Sequence, residues 1–138
     1  MTRLCFVGML LCTGMISFSY GQTKAPAPFG PVPTMNQMRW QEMEYYAFVH
    51  FSLNTYTDQS WGYGNEDVKL FDPEKLDCRQ WARTCKEAGM KGIIITAKHH
   101  CGFCLWPSKY TDYSVKNAPW KNGKGDVVRD MADACKEY

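Results

Sequence analysis

Residues 92–97 read Gly-Ile-Ile-Ile-Thr-Ala, a run that is apolar on both faces. Successive side chains of a β-strand point to opposite sides, so a run of this kind needs cover above and below. Parallel strands flanked by helices provide that cover. An earlier strand-like run, Tyr46-Ala47-Phe48-Val49-His50-Phe51, ends at the polar pair Asn54-Thr55. Between the two runs lie a loop rich in Trp, Gly and acidic residues up to Phe71 and a turn at Asp72-Pro73. A helix follows, with Asp77 as its N-cap. Cys78, Trp81, Ala82, Cys85 and Ala88 recur at helical spacing as one apolar stripe, and Gly89 stands where a helix stops. After the second strand, a long loop from His99 to Gly125 leads to Asp126 and a further helix. Val127, Val128, Met131, Ala134 and Cys135 form its stripe. Strand, loop, helix, repeated, is the signature of an α/β fold with parallel strands. Chemistry in such folds sits in the loops at the carboxyl ends of the strands. Both long loops here follow strands and carry the His, Trp and acidic residues.

The remainder of the chain is organised around that core. Residues 1–21 have the form of an export signal: Arg3, an uncharged apolar stretch from Leu4 to Ile16, then Ser19-Tyr20-Gly21. A lipoprotein signal at Cys12 ranks second, because the bulky Leu11 precedes that cysteine. The expected location is therefore periplasmic or extracellular, without membrane insertion once the signal is removed. Residues 22–34, with Pro26, Pro28, Pro31 and Pro33, read as an extended linker. Residues 35–138 form the expected folded domain, opening with a short helix over 35–44 on which Met35, Met38 and Met43 make a partial apolar stripe. Five cysteines lie past the signal, an odd number that argues against a complete disulfide framework. A net charge of +2 with interleaved signs gives no reason to expect nucleic acid as a partner.

The densest chemistry is Lys98-His99-His100-Cys101-Gly102-Phe103-Cys104. A neutral imidazole offers one donor and one acceptor, which suits the vicinal hydroxyls of a sugar. Both rings can reach one ligand only where the strand breaks, and Gly102 permits a break. Three other readings compete. Zinc could use His99, His100, Cys101 and Cys104, although ligands this crowded close poorly into a tetrahedron. A redox Cys-x-x-Cys has the right spacing, but Leu105-Trp106-Pro107 stops the helix that such motifs usually open. The histidines could also simply cap a strand.

The sequence from about Tyr46 onward resembles the N-terminal barrel half of family 29 glycoside hydrolases, the α-L-fucosidases. The blocks that carry the resemblance are Phe48-Val49-His50-Phe51, Asp77 with Gln80-Trp81, Thr96-Ala97-Lys98-His99-His100, Gly102 to Thr111, and Lys124-Gly125-Asp126-Val127-Val128. The resemblance implies about two β/α units of a TIM-type (β/α)8 barrel, incomplete in this chain because a closed barrel takes ~250 residues. It implies that His50, His99 and His100 bind fucose hydroxyls, that Glu66 accepts from hydroxyls, and that Trp61 covers the C6 methyl side. The plain alternatives are core packing for Trp61 and solvent exposure for Glu66. Trp106 is expected to pack the loop. The implied substrate is a fucosylated glycan or glycoconjugate, cleaved by a retaining double displacement, with no metal or organic cofactor. Relatives usually carry an acidic residue where this chain has Cys101, which raises a non-catalytic fucose-binding relative as the alternative. The catalytic carboxyl pair of a retaining glycosidase is expected from later strands, so Asp58, Glu66, Asp67 and Asp112 are not assigned to it.

Overall fold

The computed structural model describes residues 23–138. The signal assigned to residues 1–21 lies outside the described residues. Residues 23–33 contain no helix or strand and are exposed throughout, as suits a segment whose prolines fix φ and lack N–H donors. A separate compact unit runs Pro33–Tyr138. Its first element, α1 (Met35–Glu42), starts with a reciprocal cap: Gln37 N–H donates to Thr34 Oγ1 at 3.4 Å, and Thr34 N–H donates to Gln37 Oε1 at 2.7 Å. The methionine stripe expected here does not become core. Met35 and Met38 are both exposed, since among the described residues no other element covers that face.

Strand β1 (Ala47–Val49) pairs in parallel with β2 (Ile93–Ile95), in the register Ala47↔Ile93, Phe48↔Ile94 and Val49↔Ile95. The direction agrees with the sequence reading, and both strands are shorter than the runs suggested. Cover, however, comes on one side. Ile93 and Ile95 pack on the core that α2 and α3 help to form, whereas Phe48, opposite Ile94 on the other face, is 58% exposed. With only two strands among the described residues, that second face is incompletely covered: Ile94 is half-buried and Phe48 meets only the His50 ring among aromatic partners.

Helix α2 (Cys78–Glu87) and helix α3 (Val127–Glu137) pack against each other. Each is started by an aspartate. Asp77 Oδ1 accepts from Gln80 N–H at 3.0 Å and Asp126 Oδ1 from Arg129 N–H at 2.9 Å, satisfying donors that the first helical turn leaves free. The stripes are narrower than expected. Cys78, Ala82, Val127, Met131 and Ala134 are buried, while Trp81, Cys85 and Val128 are half-buried. Ala88 is exposed because the helix has ended at Glu87, and Cys135 is exposed because it lies one step around the helix from the buried Ala134.

Residues 99–125 are the long irregular segment the sequence suggested. Beyond that reading, the segment supplies Phe103, Leu105, Val115, Ala118 and Trp120 to the core. It does so by folding back on itself. Lys98 and Cys104 form an antiparallel bridge, and Cys104 then bridges Ser114 in parallel. The first loop contributes the fully buried Phe71, whose ring meets Phe103 at 5.0 Å, Phe51 and Trp120 at 5.7 Å each, and Tyr56 at 5.8 Å. The two long segments after β1 and β2 are therefore locked together through aromatic packing.

Candidate functional site

The site forms where both strands end. His50 directly follows β1, two residues beyond Phe48 and so on the same face; their rings lie 4.4 Å apart. Past β2, Thr96 N–H and Oγ1 both donate to Val49 O, at 3.1 and 3.2 Å, fastening the two strand ends together. The chain then turns sharply. Gly102 N–H donates to His99 O at 2.9 Å, with Gly102 at φ +81°, a left-handed conformation that glycine adopts without a Cβ penalty. Both histidines thus sit in a tight turn inside the 98–104 hairpin. This break in the strand lets neighbouring residues face one space.

Three imidazoles and an indole converge there. His50 and His99 meet edge to face at 5.7 Å, as do His99 and His100 at 5.1 Å, and Trp61 lies 4.1 Å from His100. Trp61 is 64% exposed, so it lies on the site's surface and is not core. Burial, reinforced by the two neighbouring imidazoles, holds His99 below the ordinary histidine range. The ring therefore remains neutral, with one donor and one acceptor, at pH values where a free histidine begins to protonate.

Beside the histidines lies an open cavity of about 420 Å³, lined by His50, Ser52, Asn54, Asp58, Gln59 and His99 among others. Two of these residues present buried polar atoms with no hydrogen-bond partner among the described residues, His99 Nδ1 and Asn54 Nδ2. Asn54 is 6% exposed, and its Oδ1 accepts from Ser52 Oγ at 3.1 Å. An unsatisfied buried polar group costs about 1–3 kcal/mol, which a ligand bearing hydroxyls would recover. The sequence reading noted Asn54 only as the polar end of a strand.

Glu66 occupies the flank of the site. It is half-buried, and its carboxylate accepts three hydrogen bonds: Tyr63 N–H at 2.6 Å, Gly64 N–H at 3.0 Å and Tyr113 Oη–H at 2.7 Å. The Tyr113 bond, aided by the backbone donors, pushes its pKa down to about 2. Burial, with Glu66 opposite, pushes Tyr113 up. Glu66 thus ties the first loop to the second, using most of the roughly four lone-pair positions a carboxylate offers. Nothing in the local sequence around Tyr113 marked it for this role.

Cys101 is 3% exposed and lies among Gly62, Ser52 and Glu66, under the Trp61–Glu66 loop. Its burial raises the thiol's pKa. Cys101 and Cys104 are free thiols in an irregular segment that no helix continues, a poor setting for a redox pair. Among the described residues, no three or more His, Cys, Asp or Glu side chains are placed to hold a metal ion.

The family model described as "Alpha-L-fucosidase" matches residues 20–138. The chain is 45% identical over 137 residues to alpha-L-fucosidase 1 of Arabidopsis thaliana, an alignment covering 99% of this chain and 27% of that protein. A family 29 glycoside hydrolase structure from an unknown rumen bacterium superposes with a TM-score of 0.76 at 77% identity, covering 80% of this chain and 20% of that one. A Ruminococcus gnavus family 29 fucosidase solved in complex with fucose gives a TM-score of 0.72 at 40% identity, over 86% of this chain and 25% of the other. The chain thus spans about a quarter of the length of the relatives it matches. Matched over most of its length, and with paired histidines at the carboxyl edge of a parallel sheet, this chain belongs to the α-L-fucosidase family.

Proposed function

We propose that this chain is the N-terminal portion, about two β/α units, of the (β/α)8 barrel of an exported retaining α-L-fucosidase, and that it supplies one wall of the fucose pocket. The observation that carries the reading is the convergence of His50, His99, His100 and Trp61 just past the carboxyl ends of two parallel strands. In this reading the neutral imidazoles exchange hydrogen bonds with the ring hydroxyls of fucose. Trp61, exposed at the rim, covers the apolar C6 methyl side. Glu66 holds the loop that carries Trp61 and has about one acceptor position left for a hydroxyl. The fucose-bound relative supports a fucosylated glycan or glycoconjugate as substrate.

Binding and bond cleavage are separable. A retaining glycosidase needs a nucleophilic carboxylate and an acid/base carboxyl ~5–5.5 Å apart. The first attacks the anomeric carbon, expelling the leaving group as the second protonates it. Water then releases the sugar with the second group as base. We assign both groups to polypeptide beyond Tyr138. The test compares release of a chromogenic aglycone from an α-L-fucoside by the 138-residue chain and by the polypeptide encoded with its downstream sequence. No turnover is expected from the short chain. The longer one should hydrolyse the fucoside, with His99→Ala lowering kcat/KM by about 10–100-fold, the worth of a substrate hydrogen bond or two. Turnover by the short chain would overturn the assignment of the carboxyls. A longer polypeptide that binds fucose without cleaving it would support the non-catalytic alternative.

A further inference from the structure

The five described cysteines divide sharply by access. Cys78, Cys101 and Cys104 are buried, at 5%, 3% and 2% exposure, while Cys85 is half-buried and Cys135 exposed. The two that solvent reaches are on different helices, and both line one cavity of about 410 Å³ where α2 and α3 pack together. Lys86 and Tyr138, neighbours of that cavity, are joined by a hydrogen bond from Lys86 Nζ to the Tyr138 carbonyl, which fastens the end of α2 to the end of α3. We infer that Cys85 and Cys135 are a thiol–disulfide staple between helices α2 and α3, closed by disulfide exchange with a small-molecule disulfide such as oxidised glutathione. The inference is independent of the fucosidase reading.

The chemistry runs in two exchanges. The Cys135 thiolate, on the exposed side, attacks the disulfide donor. A Cys135–donor bond forms, the donor's S–S bond breaks, and one donor thiol leaves. The Cys85 thiolate then attacks Cys135 Sγ, expelling the second donor thiol and closing the Cys85–Cys135 bond. Two protein thiols are oxidised, one donor disulfide is reduced, and the two protons end on the donor thiols. Partial desolvation beside α2 and the neighbouring Cys85 thiol push Cys135 up, so the first exchange quickens as pH rises above neutrality. The buried thiols take no part, since a donor cannot reach them while the core of Phe71, Phe103 and Trp120 is closed.

The test is oxidation of the purified chain with glutathione disulfide under native conditions, alkylation of the remaining thiols, and peptide mapping without reduction. The expected result is one dominant cross-link, Cys85 to Cys135, with the mass of two hydrogens lost. It should vanish in Cys85→Ser and in Cys135→Ser and survive in Cys78→Ser. In guanidinium the pairing should spread over the other cysteines, showing that the native selectivity comes from the fold. A dominant native pair involving Cys78, Cys101 or Cys104, an unselective mixture under native conditions, or glutathione adducts on both residues without a cross-link would each overturn the inference.

Discussion

Gly62→Ala is the substitution whose effect can be worked most directly from the site. A Cβ at residue 62 would lie 2.6 Å from Glu66 Oε1 and 2.7 Å from Asn54 Nδ2, and nearer still to Cys101 Cβ. Carbon atoms pack best at about 3.5–4.0 Å, so the neighbours must retreat by ~1 Å. None can do so freely. Cys101 and Asn54 are buried, and Glu66 Oε1 accepts from Tyr63 N–H at 2.6 Å. Overpacking of this kind costs about 1–3 kcal/mol; disturbing one charge-assisted bond to Glu66 brings the total to roughly 2–4 kcal/mol. With a urea m-value of about 2 kcal/mol/M, the unfolding midpoint falls by roughly 1–2 M. The assay is urea denaturation followed by tryptophan fluorescence, with amide exchange at residues 61–66 as a local readout. Cys101→Gly removes the clashing carbon, so the double variant should recover stability relative to additivity by more than about 0.5 kcal/mol. An unchanged midpoint for Gly62→Ala, or strict additivity in the double variant, would refute the packing argument.

Two more expectations follow from the same geometry. Glu66 is depressed from its ordinary 4.5 to about 2 on folding, so its contribution is complete above about pH 4.5 and is lost as pH falls through about 2. Urea midpoints measured from about pH 6 down to about pH 2.5 should therefore decline less steeply in Glu66→Gln than in the parent; parallel curves would contradict the role given to Tyr113 and the two backbone donors. Gly125→Ala places a Cβ 2.9 Å from Trp120 Cδ2 and closer to two other atoms of that buried ring. About 3 kcal/mol or more is lost, visible as a red-shifted tryptophan emission from the purified chain; an unshifted spectrum would argue against this contact.

What the sequence disclosed and what it concealed divide along physical lines. Periodicity marked β2, α2 and α3, and Asp77 and Asp126 marked the helix starts, because these signals act within a few residues of themselves. The grouping of His50 with His99 and His100 came from the family resemblance, and parallel pairing brings the strand ends that carry them side by side. Burial of the 99–125 segment was hidden. Its core residues Phe103, Leu105, Val115 and Trp120 follow neither a helical nor a strand period, since bridges and short 3-10 turns position them. The Glu66–Tyr113 bond was hidden as well, joining residues 47 apart through the tertiary fold. Exposure at Ala88 and Cys135 was misjudged because a stripe drawn on a helical wheel says nothing about where the packing partner stops.

The two faces of the small sheet would tie stability to the proposed function. One face, through Ile93 and Ile95, is closed by the core. The other carries Phe48 and Ile94 and continues past the strand end into His50. The apolar patch and His50, which faces the sugar in the proposed reading, therefore lie on one surface. In the proposed barrel this surface is interior, and further strands would cover Phe48 and complete the pocket in the same step. Full burial of a Phe side chain is worth ~1.5–3 kcal/mol. With 58% of Phe48 exposed, about 1–2 kcal/mol of that remains to be gained at this residue alone. Cover that supplies this stabilisation would also exclude water from around His50 and His99, strengthening each hydrogen bond that the proposed reading gives them to a hydroxyl. Substitution of Phe48 by a polar residue should accordingly weaken the completed pocket as well as the fold, even though Phe48 itself touches no sugar in this reading.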